Sequence, residues 1–198
     1  MPDKAIPSDI LVSEQTFWEP DEVTGGILTL LKLVDAGELL STYPGLFWRG
    51  KQTVFGMLRP SPAAILEKLL GTSGWGYCEY SASNAFGLST QIPRRIHVVT
   101  DTMPEHEIPG IALKHSIDNP LRRLYGMSVM ETTLCEALSD LAEGNGYSEI
   151  GEKDAIPILK TRIARLCEPK LIVPARVIAG SLGESKAVRK LVHQLFLG

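Results

Sequence analysis

The chain has 198 residues, 44% of them hydrophobic and 22% charged, with a net charge of −3. That length is enough for one generous domain or two small ones with a buried core, and the balance of residues argues against disorder. The negative balance excludes a broadly basic nucleic-acid coat while leaving room for a local basic patch, and no apolar run reaches the roughly 18 residues of a membrane span.

Met1 to Ile10 carries Asp3, Lys4 and Asp9 and no apolar segment, so it does not read as a secretory signal. The three cysteines, Cys78, Cys135 and Cys167, are far apart and form no C-x-x-C pair. They read as small buried hydrophobes in a reducing cytoplasm, with no zinc site and no disulfide framework.

Residues 1–20 read as irregular, broken by Pro2, Pro7 and Pro20. Asp21 and Glu22 suit a helix start, and Val23, Ile27, Leu30, Leu31 and Val34 follow at helical spacing up to Gly37. Leu39 to Tyr43 and Leu46 to Arg49 flank Pro44-Gly45, a pair that fits the centre of a type II turn, so a β-hairpin is expected there. Ser61-Pro62 opens another helix carrying Ile65, Leu66, Leu69 and Leu70, and Gly71 stops it. The glycine-rich run from Gly71 to Gly76 reads as a loop. A short helix over Ser81 to Phe86 closes on Gly87, and Ile96 to Thr100 and Ile111 to His115 read as strands of one sheet.

The last third reads as helical. Ser128 and Glu131 have capping-box spacing ahead of Met130, Leu134, Ala137, Leu138 and Leu141. Ile156, Leu159, Ile163 and Leu166 make a second apolar stripe, and Val188, Leu191, Val192 and Leu195 a third. The fold class is therefore mixed α/β (α+β), with a helical C-terminal part. The stiff segment Arg59-Pro60-Ser61-Pro62 sets the expected boundary between residues 1–60 and 61–198.

Catalytic signatures are sparse. The chain has no G-x-S-x-G elbow and no H-E-x-x-H, and the run from Gly71 to Gly76 lacks the Gly-Lys-Ser/Thr ending of a phosphate loop. One nuclease-like pattern is Glu168-Pro169-Lys170, with Asp154 upstream as a second acid for magnesium. A central proline removes a strand donor there. The expectation is no catalytic residue, no metal site and no cofactor.

Binding has more to recommend it. A helix followed at once by a hairpin is the second half of a winged helix, in which the helix enters the major groove and the wing touches the backbone. Thr24, Thr29 and Lys32 on the helix, and Arg49, Lys51, Gln52 and Arg59 on and beyond the hairpin, are the candidate DNA-binding residues. Arg94, Arg95, Arg122 and Arg123 are candidates for a basic patch that meets a partner or RNA. Lys186, Arg189, Lys190 and His193 form another basic run on the last helix.

Two stretches carry a resemblance. Ala36 to Pro62, including Tyr43-Pro44-Gly45-Leu46-Phe47-Trp48-Arg49-Gly50 and Thr53-Val54-Phe55-Gly56, resembles the AbiEi-type antitoxin family, as does Ser83-Asn84-Ala85-Phe86-Gly87-Leu88-Ser89-Thr90-Gln91-Ile92-Pro93. The resemblance implies an N-terminal winged helix that binds its own promoter DNA. It also implies a C-terminal antitoxin domain that counteracts a nucleotidyltransferase-class toxin without requiring a stable complex, in the cytoplasm. The family has two helices before the recognition helix, and only about 20 residues precede Asp21 here, which implies a reduced winged helix. Two alternatives stay open. One is a protein-interaction module without DNA binding that self-associates through Trp18, Phe47 and Trp48, and the other is a magnesium-dependent nuclease using Asp154, Glu168 and Lys170.

Overall fold

The computed structural model describes residues 14–115, 120–167 and 172–198. The fold is mixed α/β, and the chain divides into two compact units after Leu69. No helix among the described residues is long and apolar enough to cross a membrane.

The first unit begins with β1 (Thr16–Trp18) and a 3-10 turn, Pro20–Glu22. Then come α1 (Gly26–Asp35), β2 (Leu40–Tyr43) and β3 (Leu46–Arg49). The helix starts later than the acidic pair predicts, because Gly25 sits at the N-cap with φ 87° and breaks the chain there. Pro44-Gly45 does turn β2 into β3, with Gly45 at φ 75° as a type II turn requires.

β3 lies in the middle of the sheet, in the order β1-β3-β2, and both pairings are antiparallel. The strand β1 falls within residues read as irregular. Phe17 packs against Trp48 with ring centroids 4.6 Å apart and the rings tilted by 54°. Val23, Leu30, Leu33, Leu39 and Phe47 form the core, with Trp18 and Val34 against it.

A second, unforeseen hairpin follows, β4 (Gln52–Thr53) and β5 (Gly56–Met57). The Trp48 indole N–H donates to the Leu58 carbonyl at 2.9 Å and ties the chain after this hairpin back to β3. The helix α2 (Pro62–Leu70) begins where serine and proline predict it, with Ser61 Oγ accepting from the Ala64 N–H at 3.1 Å.

In the second unit the sheet has the order β6-β7-β8, made of Trp75–Tyr77, Ile96–Thr100 and Ile111–His115. β7 and β8 share one sheet as expected and run parallel, while β6 pairs antiparallel on the other side. The strand β6 corrects the loop expected up to Gly76. Its backbone lies so close to a helix that a Cβ on Gly76 would sit 2.8 Å from the Thr133 backbone nitrogen.

The helices are α3 (Glu79–Phe86), α4 (Leu121–Leu124), α5 (Val129–Glu143), α6 (Glu152–Cys167), α7 (Pro174–Gly180) and α8 (Lys186–Phe196). The Ser128–Glu131 capping box is present at the start of α5. Leu134, Leu138, Leu159, Ile163, Val188, Leu191, Val192 and Leu195 bury together in one core with Phe86 and Leu88. Cys78 and Cys135 are buried and unbridged, and burial pushes both thiols up to about 12.

Candidate nucleic-acid interface

Of the residues singled out for DNA, Thr29 and Lys32 lie on α1 and Arg49 on β3, while Lys51, Gln52 and Arg59 lie beyond the β2–β3 hairpin. Lys32 is exposed on α1, whereas Thr24, expected on the helix, is exposed in the turn ahead of it, because the helix begins only after the Gly25 cap. Thr29 is half-buried, and its hydroxyl donates to the Thr24 carbonyl at 3.1 Å, so it serves the helix start. Lys51 and Arg59 are exposed, and no ion pair involves them among the described residues. Gln52 is exposed, with its amide donating to the Gly37 carbonyl at 3.3 Å.

Arg49 is placed differently from the other candidates. Its side chain is only 13% exposed, and Nη1 donates to the Glu38 carboxylate at 2.7 Å and to the Glu38 carbonyl at 2.9 Å. It pins the end of α1 to β3 and is spent on the fold. Lys32, Lys51 and Arg59 are left as the cations of this unit that face water and that sequence reasoning named.

The outward face of α1 carries something the sequence reading missed. Ile27, Leu28 and Leu31 are 46%, 69% and 44% exposed. Ile27 and Leu31 were expected on the buried stripe, but Leu30 and Leu33 take that place. The signal was available: six of ten positions from Gly26 to Asp35 are large aliphatics, more than one helical face can bury. Val54 and Phe55, at the tip of the β4–β5 hairpin, are 94% and 97% exposed. Phe47 and Trp48 are 2% and 8% exposed and Trp18 packs on the core, so self-association through these three rings is not available to the folded unit.

In the second unit the four arginines do not form one free basic patch. Arg122 is buried and paired with Glu136 and with Glu184, the latter at 2.8 Å. Burial alone would lower its pKa, but the two carboxylates outweigh that and hold the guanidinium charged. Arg123 grips Asp101 at 2.5 and 2.6 Å, and Arg95 donates to the Ile111 carbonyl at 2.6 Å. Arg94 is exposed.

The second resemblance stretch forms a tight corner. The Glu149 carboxylate accepts from the Thr90 N–H at 3.2 Å and from the hydroxyls of Ser89 and Thr90, while the Glu149 N–H donates to the Leu88 carbonyl at 2.9 Å. The Thr90 N–H holds the Glu149 carboxyl below its ordinary value. Phe86 and Gly87 border a cleft of about 400 Å³ whose other lining includes Pro157, Ile158, Arg162 and Arg165.

Glu168 and Lys170, named for a nuclease, lie outside the described residues, and Asp154 is exposed in the first turn of α6. Ile172 and Val173 lead into α7 and are not in a strand. Among the described residues no three His, Cys, Asp or Glu side chains are grouped to hold a metal.

No family model matches the chain, and no curated protein does. Among solved structures it is similar to the crystal structure of the RV2827C protein from Mycobacterium tuberculosis, with 14% identity and a TM-score of 0.50 over 95% of this chain and 74% of that one. At that identity the likeness is one of fold.

Proposed function

We propose that the chain is an antitoxin of the AbiEi kind and a transcriptional regulator of its own operon, acting in the cytoplasm. The first unit binds promoter DNA as a reduced winged helix, and the chain counteracts a nucleotidyltransferase-class toxin without a stable complex, a catalytic residue or a cofactor.

One observation carries the DNA half of this reading. The strand order β1-β3-β2, with α1 between β1 and β2, has the connectivity of a winged helix from its first strand onward. The short turn at Pro20–Glu22 stands where a full helix would precede the recognition helix. The exposed Lys51 and Arg59 supply phosphate contacts from the wing side. The antitoxin half rests on the resemblance of Ala36–Pro62 and Ser83–Pro93.

A reporter driven by the chain's own upstream region tests the regulator. Expression of the chain represses it, and Lys51→Ala with Arg59→Ala relieves that repression. A reporter indifferent to the chain would remove DNA binding from the account. Co-expression with a nucleotidyltransferase-class toxin tests the other half, through growth rescue.

A second reading is favoured by the aliphatic face of Ile27, Leu28 and Leu31, which is poor material for reading base edges. On that reading the unit docks protein or a second copy of itself. Sedimentation then shows an oligomer that Leu28→Glu disperses, whereas a monomer at all concentrations argues against self-association.

A further inference from the structure

We infer that the last helix carries a second surface for duplex DNA, one that grips the phosphate backbone without reading sequence. This is separate from the winged-helix reading and involves none of its residues.

Charge is distributed very unevenly along the chain. Residues 152–198 hold nine Lys and Arg against four Asp and Glu, a net charge of +5 that leaves −8 on the remainder. Within this segment α8 is the sharpest feature. Lys186, Arg189, Lys190 and His193 are all exposed, and at about 100° per residue they lie within an arc of about 100°. Val188, Leu191, Val192 and Leu195 bury on the opposite side. The helix contains no acidic residue.

Elsewhere in this unit the fold neutralises Lys114, Arg122, Arg123 and Arg176 with Glu79, Glu136, Glu184, Asp101 and Glu131. The α8 stripe has no ion pair among the described residues. Its arrangement also works against the helix itself. Lys186 and Lys190 are like charges at i,i+4, and Lys186 stands in the first turn, where the helix dipole disfavours a cation. Ser185 caps the end correctly, so the local design is otherwise sound. A stripe that opposes its own helix and lacks internal partners fits an external polyanion.

The apolar side of α8 is buried in the core, so the helix cannot lie in a lipid interface by that side. From Lys186 to His193 the axis runs about 10 Å, and a strand of duplex DNA presents a phosphate roughly every 3.4 Å of its axis. The stripe therefore faces about three phosphates of one strand. Its cations meet the charge that every duplex carries along its backbone, so the proposed recognition is of phosphate and independent of base sequence.

The test uses the full chain and a labelled 20-base-pair duplex of arbitrary sequence, titrated from 50 to 200 mM salt. Three phosphate contacts predict a log–log slope near about −3 and a loss of affinity of roughly fortyfold across that range. Lys186→Glu with Arg189→Glu places Glu ahead of Lys190 and of His193 at i,i+4, so its urea midpoint equals or exceeds that of the parent chain. The same variant binds the duplex at least tenfold more weakly at 50 mM salt. Unchanged duplex affinity in that variant would overturn the proposal. So would tighter binding of the parent chain to double-stranded RNA, to polyglutamate or to phosphatidylserine vesicles than to the duplex. Promoter preference, measured as a ratio of two duplexes, belongs to the first unit, so failure of either claim leaves the other readable.

Discussion

Replacing Glu131 by alanine removes a carboxylate that no solvent reaches and that three donors share. The residue is 0% exposed. One oxygen accepts from the Ser128 N–H at 2.7 Å and closes the capping box of α5. The other accepts from the Val173 N–H at 2.5 Å, and Arg176 Nε lies 2.9 and 3.0 Å from the two oxygens. Arg176 is 37% exposed on its side chain and is rehydrated when the partner goes, so its share of the loss is small. The two backbone donors have no such recourse. Each hydrogen bond to a charged acceptor contributes about 1.5 kcal/mol or more, which puts the cost of Glu131→Ala at about 3 kcal/mol. For a chain of this size that lowers Tm by about 6–12 °C. Glu131→Gln keeps one acceptor, turns its amide toward the other donors, and recovers only part of the loss. Calorimetry and urea unfolding measure both variants, and hydrogen exchange should show Ser128 and Val173 losing protection first. A cost below about 1 kcal/mol in Glu131→Ala would mean that this carboxylate is not what joins α5 to α7.

Arg49→Ala destabilises the first unit by about 1 kcal/mol, read in urea, because it breaks the tie to Glu38; any fall in DNA binding by this variant then tracks the unfolded fraction. Gly76→Ala costs about 1–3 kcal/mol, since its Cβ would meet the Thr133 backbone and Thr132 at 2.8 Å; Gly146→Ala, with open space around it and φ 82°, tests positive-φ strain without that contact. Burial opposes ionisation of Glu79, but Lys114, His97 and Tyr147 outweigh it and hold its carboxyl below the ordinary 4.5. Its contribution is therefore complete above about pH 4.5 and lost as pH falls through the lower folded value. Glu79→Gln should flatten the acid limb of a stability–pH profile below pH 4.5, and an unaltered limb would show that the cluster adds nothing.

Much of the fold was legible because its signals are local. Ser61-Pro62, Pro44-Gly45 and the Ser128–Glu131 box each act over three or four residues, and each stands where its chemistry puts it. The strand β6 was hidden because Trp75–Tyr77 is three residues long and follows two glycines, and only pairing to Val98–Thr100 makes it a strand. β1 was hidden in the same way, being fixed by register against Phe47–Arg49. Ile27 and Leu31 fit a helical period as well as Leu30 and Leu33 do, and only the tertiary core decides which pair is inside.

The candidate site was legible in residue type but not in partnership. Arg49, Arg122 and Arg123 are cations in the sequence, and nothing local says that Glu38, Glu136, Glu184 and Asp101 will claim them. Two of those partners, Glu184 and Asp101, lie 62 and 22 residues away from the arginines they bind. The corner at Leu88–Gln91 likewise depends on Glu149, about 60 residues on.

The central claim is that the first unit recognises promoter DNA through a reduced winged helix, and fluorescence anisotropy with the chain's own promoter against scrambled DNA of equal length tests it most directly. The account predicts tighter binding to the promoter, weakening with salt, and weaker binding to both sequences with a shallower salt dependence in Lys51→Ala with Arg59→Ala while the fold stays intact. Equal binding to both sequences at low salt would contradict it.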